Sequence, residues 1–261
     1  MATVRDQLWM VGIPAHSVDK TLFGTWEQLD NKELRLGLRS RISPMDGAFM
    51  LDIPNVIMMP YDGAPAPFSE EALGYMESFY PLHRVLWGCN GTATRKGNET
   101  AFVCEMSHTY SNLCGLMAED ASLLPSLKTG LDKAARPMEA WVMANPEAPL
   151  TKQDTAAADG VLLWWDHPLS AEEIDARLTT LAPALQGKQI LLALPLMDFK
   201  TPRILKIEEL SAPCEQALEW LREGRISGIA FTTNASMGMR HPAELWLREW
   251  VDKVKYTEVP D

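Results

Sequence analysis

Eight short apolar runs recur along the 261 residues, each closed by polar or turn-forming residues. They are LWMVGIP from Leu8, NVIMMPY from Asn55, RVLWGCN from Arg84, LCGLMAE from Leu113, EAWVMAN from Glu139, GVLLWWD from Gly160, QILLALPLMD from Gln189 and GIAFTTN from Gly228. A strand covered on both faces reads as an unbroken apolar stretch, because neither side of its sheet meets water. Helix signals fill the intervals. Ser170 and Glu173 form an S-x-x-E capping box, Ile174, Leu178 and Leu181 follow at helical spacing, and Pro183 predicts the stop. Ser69 precedes Glu70 and Glu71, carboxylates suited to the positive end of a helix reaching about Tyr80. Ser43 and Pro44 open another helix. CEQALEWLREG ends in Gly224, a natural left-handed cap, and HPAELWLREWVDKV puts Trp246 and Trp250 one turn apart on one face.

Alternation of strand and helix, with no Gly/Ser-rich or Pro-rich linker between halves, predicts one closed domain over residues 1–261. Eight strands predict a (β/α)8 TIM barrel, a fold that commonly takes roughly 250 residues. The least regular part, Ser17 to Asp52, makes a long segment after strand one, expected to fold over it as a lid or side wall. Neither G-x-G-x-x-G after the first run nor G-x-x-x-x-G-K-[ST] anywhere is present, which excludes the dinucleotide and P-loop readings.

Charge narrows the partners. With 35 acidic and 24 basic residues the formal net charge is -11, which repels nucleic-acid phosphates and anionic membranes. The start MATVRDQLWMVGIPAH has no continuous apolar core, and no later run approaches the ~20 residues that span a bilayer, so a soluble cytoplasmic protein is expected. Cys89, Cys104, Cys114 and Cys214 form no C-x-x-C pair and read as reduced, buried thiols, with Cys89 in the core.

In a barrel of this kind the active site lies at the carboxyl ends of the strands, so the polar residues closing each run are the candidates. Strand one ends near His16, strand two at Tyr61 and Asp62, strand three at Asn90, strand four at Glu119 and Asp120, and strand five at Asn145. Strand six ends at Trp164, Trp165, Asp166 and His167, strand seven at Asp198, and strand eight at Asn234 and Ser236. Any one of these can be a turn or helix cap, as Asp, Asn and Ser are in all proteins. Capping explains the sum poorly, because acids follow strands two, four, six and seven and converge on one mouth. Carboxylates crowded in a cleft cost electrostatic energy, which is the usual mark of acid/base or metal chemistry.

Strand alternation sharpens the choice. If Asp166 points to the axis, Trp164 shares its face while Trp165 and His167 point toward the helices, and the same parity separates Glu119 from Asp120. Trp87, Trp164 and Trp165 suit the apolar faces of sugars, and equally suit a core. Methionine in NVIMMPY reads as barrel filling. His16, His167 and His241 with Asp120, Asp166 or Asp198 have the chemistry of a metal set, but H-x-H and H-E-x-x-H spacings are absent, and neither a metal nor a cofactor is assigned. No G-x-S-x-G elbow appears.

With these strand ends, the chain resembles the glycoside-hydrolase type of (β/α)8 barrel across most of its length. In the large retaining superfamily of that fold the acid/base ends strand four and the nucleophile ends strand seven. That resemblance implies Glu119 and Asp198, although Ala118-Glu119 stands where the superfamily usually has Asn-Glu, and Asp198 where it has Glu. The chain is also similar to barrel glycosidases of the α-galactosidase type, with an Asp nucleophile after strand four and an Asp acid/base after strand six, which implies Asp120 and Asp166. ALEWLREGRISGIAFTTN resembles the closing segment of uncharacterised bacterial barrel proteins with paired acids after strand four, here Glu119-Asp120 followed by Ala121-Ser122.

The expected function is therefore a carbohydrate-active hydrolase on a small carbohydrate or polyol, with Glu119, Asp120, Asp166 and Asp198 as catalytic candidates. His16, Tyr61, Asp62, Trp87, Asn90, Asn145, Trp164, His167 and Asn234 are the candidate substrate contacts. Two alternatives stand beside it: a metal-dependent isomerase, epimerase or lyase on a small sugar or polyol, and a barrel that binds a ligand without catalysis.

Overall fold

All eight apolar runs form parallel strands: β1 (Leu8–Gly12), β2 (Asn55–Met58), β3 (Arg84–Cys89), β4 (Leu113–Ala118), β5 (Glu139–Ala144), β6 (Gly160–Leu163), β7 (Gln189–Pro195) and β8 (Gly228–Thr232). Each pairs with the next, and β8 returns to β1 through Ile229 opposite Leu8 and Ala230 opposite Trp9, which closes the barrel. The chain is a (β/α)8 TIM barrel. This computed structural model describes residues 2–15, 42–61, 64–89, 98–145, 147–148, 150–201 and 203–260, so most of the long segment after strand one lies outside them.

Seven helices are described: α1 (Pro44–Met50), α2 (Glu70–Ser78), α3 (Glu99–Met106), α4 (Leu124–Leu131), α5 (Ala171–Leu185), α6 (Ile207–Arg222) and α7 (Pro242–Val254). Ser43 and Ser170 both complete reciprocal capping boxes, with Asp46 and Glu173. These satisfy donors that a helix start otherwise leaves bare. Gly224 takes φ +70 and its N–H donates to Leu221 O at 3.1 Å, the left-handed cap expected after α6.

Three expectations change. Pro183 does not stop α5, which runs to Leu185; a missing donor this close to the end of the hydrogen-bond ladder breaks little. α6 begins at Ile207, well before the stretch CEQALEWLREG, because Glu209 reaches back to the Lys206 N–H at 2.9 Å and caps it there. Strict alternation fails between β5 and β6, where the described residues hold turns instead of a helix. Thr151 and Asp154 close one turn on each other, and the Thr155 hydroxyl donates to Ala184 O at 2.6 Å, pinning the connection to the end of α5.

The core has two layers, set by strand alternation. Trp9, Val11, Ile57, Leu86, Met117, Trp141, Leu162, Leu191 and Ala230 fill the barrel. Met10, Met58, Val85, Trp87, Leu163, Leu194 and Phe231 face the helices. Gly160 has no alternative, because a Cβ there would meet the Trp141 ring at 2.3 Å. At the amino ends of the strands, Arg84 Nη2 pairs with Glu139 Oε2 at 2.7 Å, and Trp141 Nε1 donates to the same oxygen at 2.8 Å. The Arg84 guanidinium also lies 5.0 Å from the centre of the Trp9 ring, so the floor is plugged. All four cysteines are free, as expected, although Cys104 and Cys114 are only partly buried.

Candidate active site at the barrel mouth

On β4 and β6 the parallel ladder continues one residue past the strand end. On β4, Met117 belongs to the barrel interior and Ala118 to the helix layer. The ladder continues one residue, with the Glu119 N–H donating to Cys89 O at 2.9 Å. Alternation therefore puts Glu119 on the inward register and Asp120 on the outward one. Glu119 is exposed, and its carboxylate has no hydrogen-bond partner among the described residues. Asp120 caps the short turn Ala121–Leu123 and accepts the Ser122 N–H at 2.7 Å. That backbone hydrogen bond holds its carboxyl below the usual range. A proton donor at neutral pH needs the opposite displacement.

On β6 the same rule separates the tryptophans. Trp164 packs on the interior cluster, and its N–H extends the ladder to Ala144 O at 3.0 Å. Trp165 is buried in the helix layer. Asp166 comes next on the register of Trp164, with a side chain 49% exposed. Its backbone carbonyl accepts the N–H groups of Phe199 and Lys200, which ties the end of β6 to the chain leaving β7. Its Oδ1 lies 2.8 Å from His167 Nδ1. The other ring nitrogen, Nε2, faces Glu147 Oε1 at 3.6 Å, and Arg177 of α5 approaches that oxygen at 3.4 Å. Asn145 is exposed and accepts the Glu147 N–H at 2.9 Å, forming the turn that carries Glu147. Tyr61, Trp164 and Phe199, each partly buried, pack against the interior cluster as an aromatic lining.

Other expected site residues serve the scaffold. Asp198 is 5% exposed and accepts the Lys200 N–H at 3.0 Å, the Thr201 N–H at 2.9 Å and the Thr201 hydroxyl, all within the antiparallel hairpin that pairs Met197–Asp198 with Arg203–Ile204. Arg203 Nη2 also lies 3.4 Å from it. Asn234 is buried, taking the Ile13 N–H and donating to the carbonyls of Ile13 and Ile42, which leaves its amide no free donor for a sugar. Trp87 is a correction: it sits on the outward register of β3, 1% exposed against Phe102 at 4.9 Å between ring centres, and does not reach the mouth. His241 caps α7 by accepting the Glu244 N–H on Nδ1, and burial pushes its imidazole below the usual range. Ser236 is likewise buried. His16, Asp62 and Asn90 lie outside the described residues.

Sequence reading passed over Glu147, Arg177 and Phe199. An Asx turn at Asn145 and the two-residue step from Met197 to Phe199 were the available signals. Among the described residues no group of three or more His, Cys, Asp and Glu stands close enough to hold a metal ion. No described helix is long and apolar enough to cross a membrane.

Neither a family model nor a curated protein matches this sequence. Solved structures do. The GH99 endo-alpha-mannosidase from Bacteroides thetaiotaomicron, in complex with BIS-TRIS-propane, superposes with a TM-score of 0.58 at 9% identity, over 95% of this chain and 97% of that one. A GH113 beta-1,4-mannanase gives 0.54 at 9% identity, over 97% and 99%. The tryptophan synthase alpha-subunit from Pyrococcus furiosus gives 0.53 at 11% identity, also over 97% and 99%. Identities this low carry the fold and not the activity. The resemblance to glycoside-hydrolase barrels is thus met in the architecture, which glycoside hydrolases and a tryptophan synthase subunit share.

Proposed function

We propose that this barrel is a carbohydrate-active hydrolase in which Glu119 and Asp166 divide the acid/base work, residues 1–261 forming one catalytic domain. What supports the reading is a pair of carboxylates that follow β4 and β6, neither ion-paired to Lys or Arg among the described residues, with Tyr61 and Trp164 packed on the interior cluster. Glycoside hydrolysis asks for that pair. A neutral acid protonates the leaving oxygen while an anion attacks the sugar or activates water. Strands two apart in a sheet stand about 10 Å apart, so side chains leaning toward each other span the separations of roughly 5–9.5 Å that the two stereochemical courses require. Trp164 offers a flat apolar face to the C–H side of a sugar ring.

Two structural neighbours are by name an endo-alpha-mannosidase and a beta-1,4-mannanase. Mannose-containing oligosaccharides are therefore the first substrates to try. Purified protein is incubated with 4-nitrophenyl α- and β-mannosides, manno-oligosaccharides and their glucose and galactose counterparts, and thermal shift is read in parallel, because a ligand of the native state raises its stability. Glu119→Gln and Asp166→Asn are each expected to lower turnover of the responding sugar at least about 100-fold. Full turnover in both variants would sink the assignment.

A further inference from the structure

Three elements meet behind Asp166 in one polar chain. The end of β6 supplies Asp166 and His167, the turn after β5 supplies Glu147, and α5 supplies Arg177. The order is Asp166 Oδ1 to His167 Nδ1 at 2.8 Å, His167 Nε2 to Glu147 Oε1 at 3.6 Å, and Glu147 Oε1 to Arg177 Nη2 at 3.4 Å. His167 is the best shielded of the four, its side chain 20% exposed against 49% for Asp166 and 43% for Glu147. A carboxylate turns easily about its terminal torsion, whose energy is broad and roughly two-fold. Asp166, half in water, has no other side-chain hydrogen bond or ion pair among the described residues to fix that torsion.

We propose that His167 is a positioning residue for Asp166. Its Nδ1–H holds Oδ1, which leaves Oδ2 to meet the substrate. A carboxylate has only acceptors, so the contact requires the proton on Nδ1. For a neutral imidazole the protonated nitrogen is set by the hydrogen bond it makes, and that makes the contact measurable without any substrate. The catalytic consequence rests on the hydrolase reading, in which Asp166 and Glu119 are the two carboxylates of the pair.

The first experiment reads the His167 ring by nitrogen NMR in protein with labelled histidine, at a pH where the nitrogen signals themselves report a neutral ring. Loss of one signal in His167→Gln assigns it among the five histidines. The Nδ1–H tautomer is expected in the unsubstituted protein, shifting toward Nε2–H in Asp166→Ala. An Nε2–H ring at the outset, or no change on removing Asp166, overturns the proposal.

The second experiment uses whichever 4-nitrophenyl glycoside the protein turns over. His167→Asn keeps an N–H near the position of Nδ1, whereas His167→Gln places its amide near Nε2. Expected is a fall in kcat of about 10–100-fold for His167→Ala and His167→Gln with KM little changed, and recovery to within about threefold for His167→Asn. Equal loss in His167→Asn and His167→Ala overturns the positioning role even where Asp166→Asn is inactive. Full turnover in Asp166→Asn would instead remove the hydrolase reading, and the ring tautomer would still decide whether His167 holds Asp166.

Discussion

Asp166 and Asp198 close neighbouring strands of one barrel, at equivalent places, and do opposite things. Asp198 is 5% exposed, takes three hydrogen bonds from its own hairpin and has Arg203 at 3.4 Å. Asp166 is half exposed, with a single histidine against one oxygen. The difference lies in the few residues just beyond each acid. After Asp198 the chain turns through Lys200 and Thr201 and comes back antiparallel, so its own N–H groups close on the carboxylate. After Asp166 comes His167, then Pro168, which has no N–H to offer. A strand-end acid becomes scaffold when its own loop supplies donors and becomes available for chemistry when it does not.

The comparison can be broken from either side. Asp166→Asn, like Glu119→Gln, is expected to have the largest effect, a loss of turnover of about 10²–10⁴-fold, with folding stability changed by no more than about 0.5 kcal/mol. Urea unfolding beside the glycoside assay checks both halves. Asp198→Ala should do the reverse and cost about 1–2 kcal/mol of stability, because the Lys200 and Thr201 N–H groups lose the buried acceptor that closes the hairpin. If Asp198→Ala unfolds no earlier than the parent, the scaffold role is wrong.

A smaller effect tests the cation on that side. Arg203 makes two 2.7 Å contacts with Glu209 and, chiefly through that hydrogen bonding, draws its carboxyl down to about 2. A lowered folded-state value means stability present above the unfolded carboxylate range near ~4.3 and lost as pH falls from there through about 2. Solvent screening of this part-exposed pair holds the contribution to about 1 kcal/mol. Unfolding midpoints measured from pH 5 down to pH 2 should converge for the parent and Arg203→Met as this contribution is lost. Parallel curves would show that the pair contributes nothing.

The smallest effect belongs to Asp120→Asn. It weakens the cap of one short turn by about 0.5 kcal/mol, lowers Tm by about 1–2 °C and leaves turnover unchanged. Turnover abolished by Asp120→Asn would reverse the register argument on β4 and return the role from Glu119 to its neighbour.

Most of the barrel was legible because its signal is local. Every one of the eight apolar runs became a barrel strand, since a buried parallel strand has no polar face, and the capping boxes at Ser43 and Ser170 mark helix starts with two hydrogen bonds inside four residues. The connection from β5 to β6 was misread for the same reason: turns held by Thr151, Asp154 and Thr155 replace a helix, and the contact that anchors them reaches Ala184, far along the chain.

The sequence by itself determined the eight strands, their order around a closed sheet and the cluster of acids at their carboxyl ends. Only the tertiary structure decided which of those acids face the axis and which cation or histidine stands against each. Strand alternation has a period of two, so one residue of uncertainty at a strand end reverses every side chain beyond it. The nearest partners of Asp120, Asp166 and Asp198 follow each acid in the chain, whereas Glu147 and Arg177, which flank His167, come from a loop and a helix that meet it only when the barrel closes.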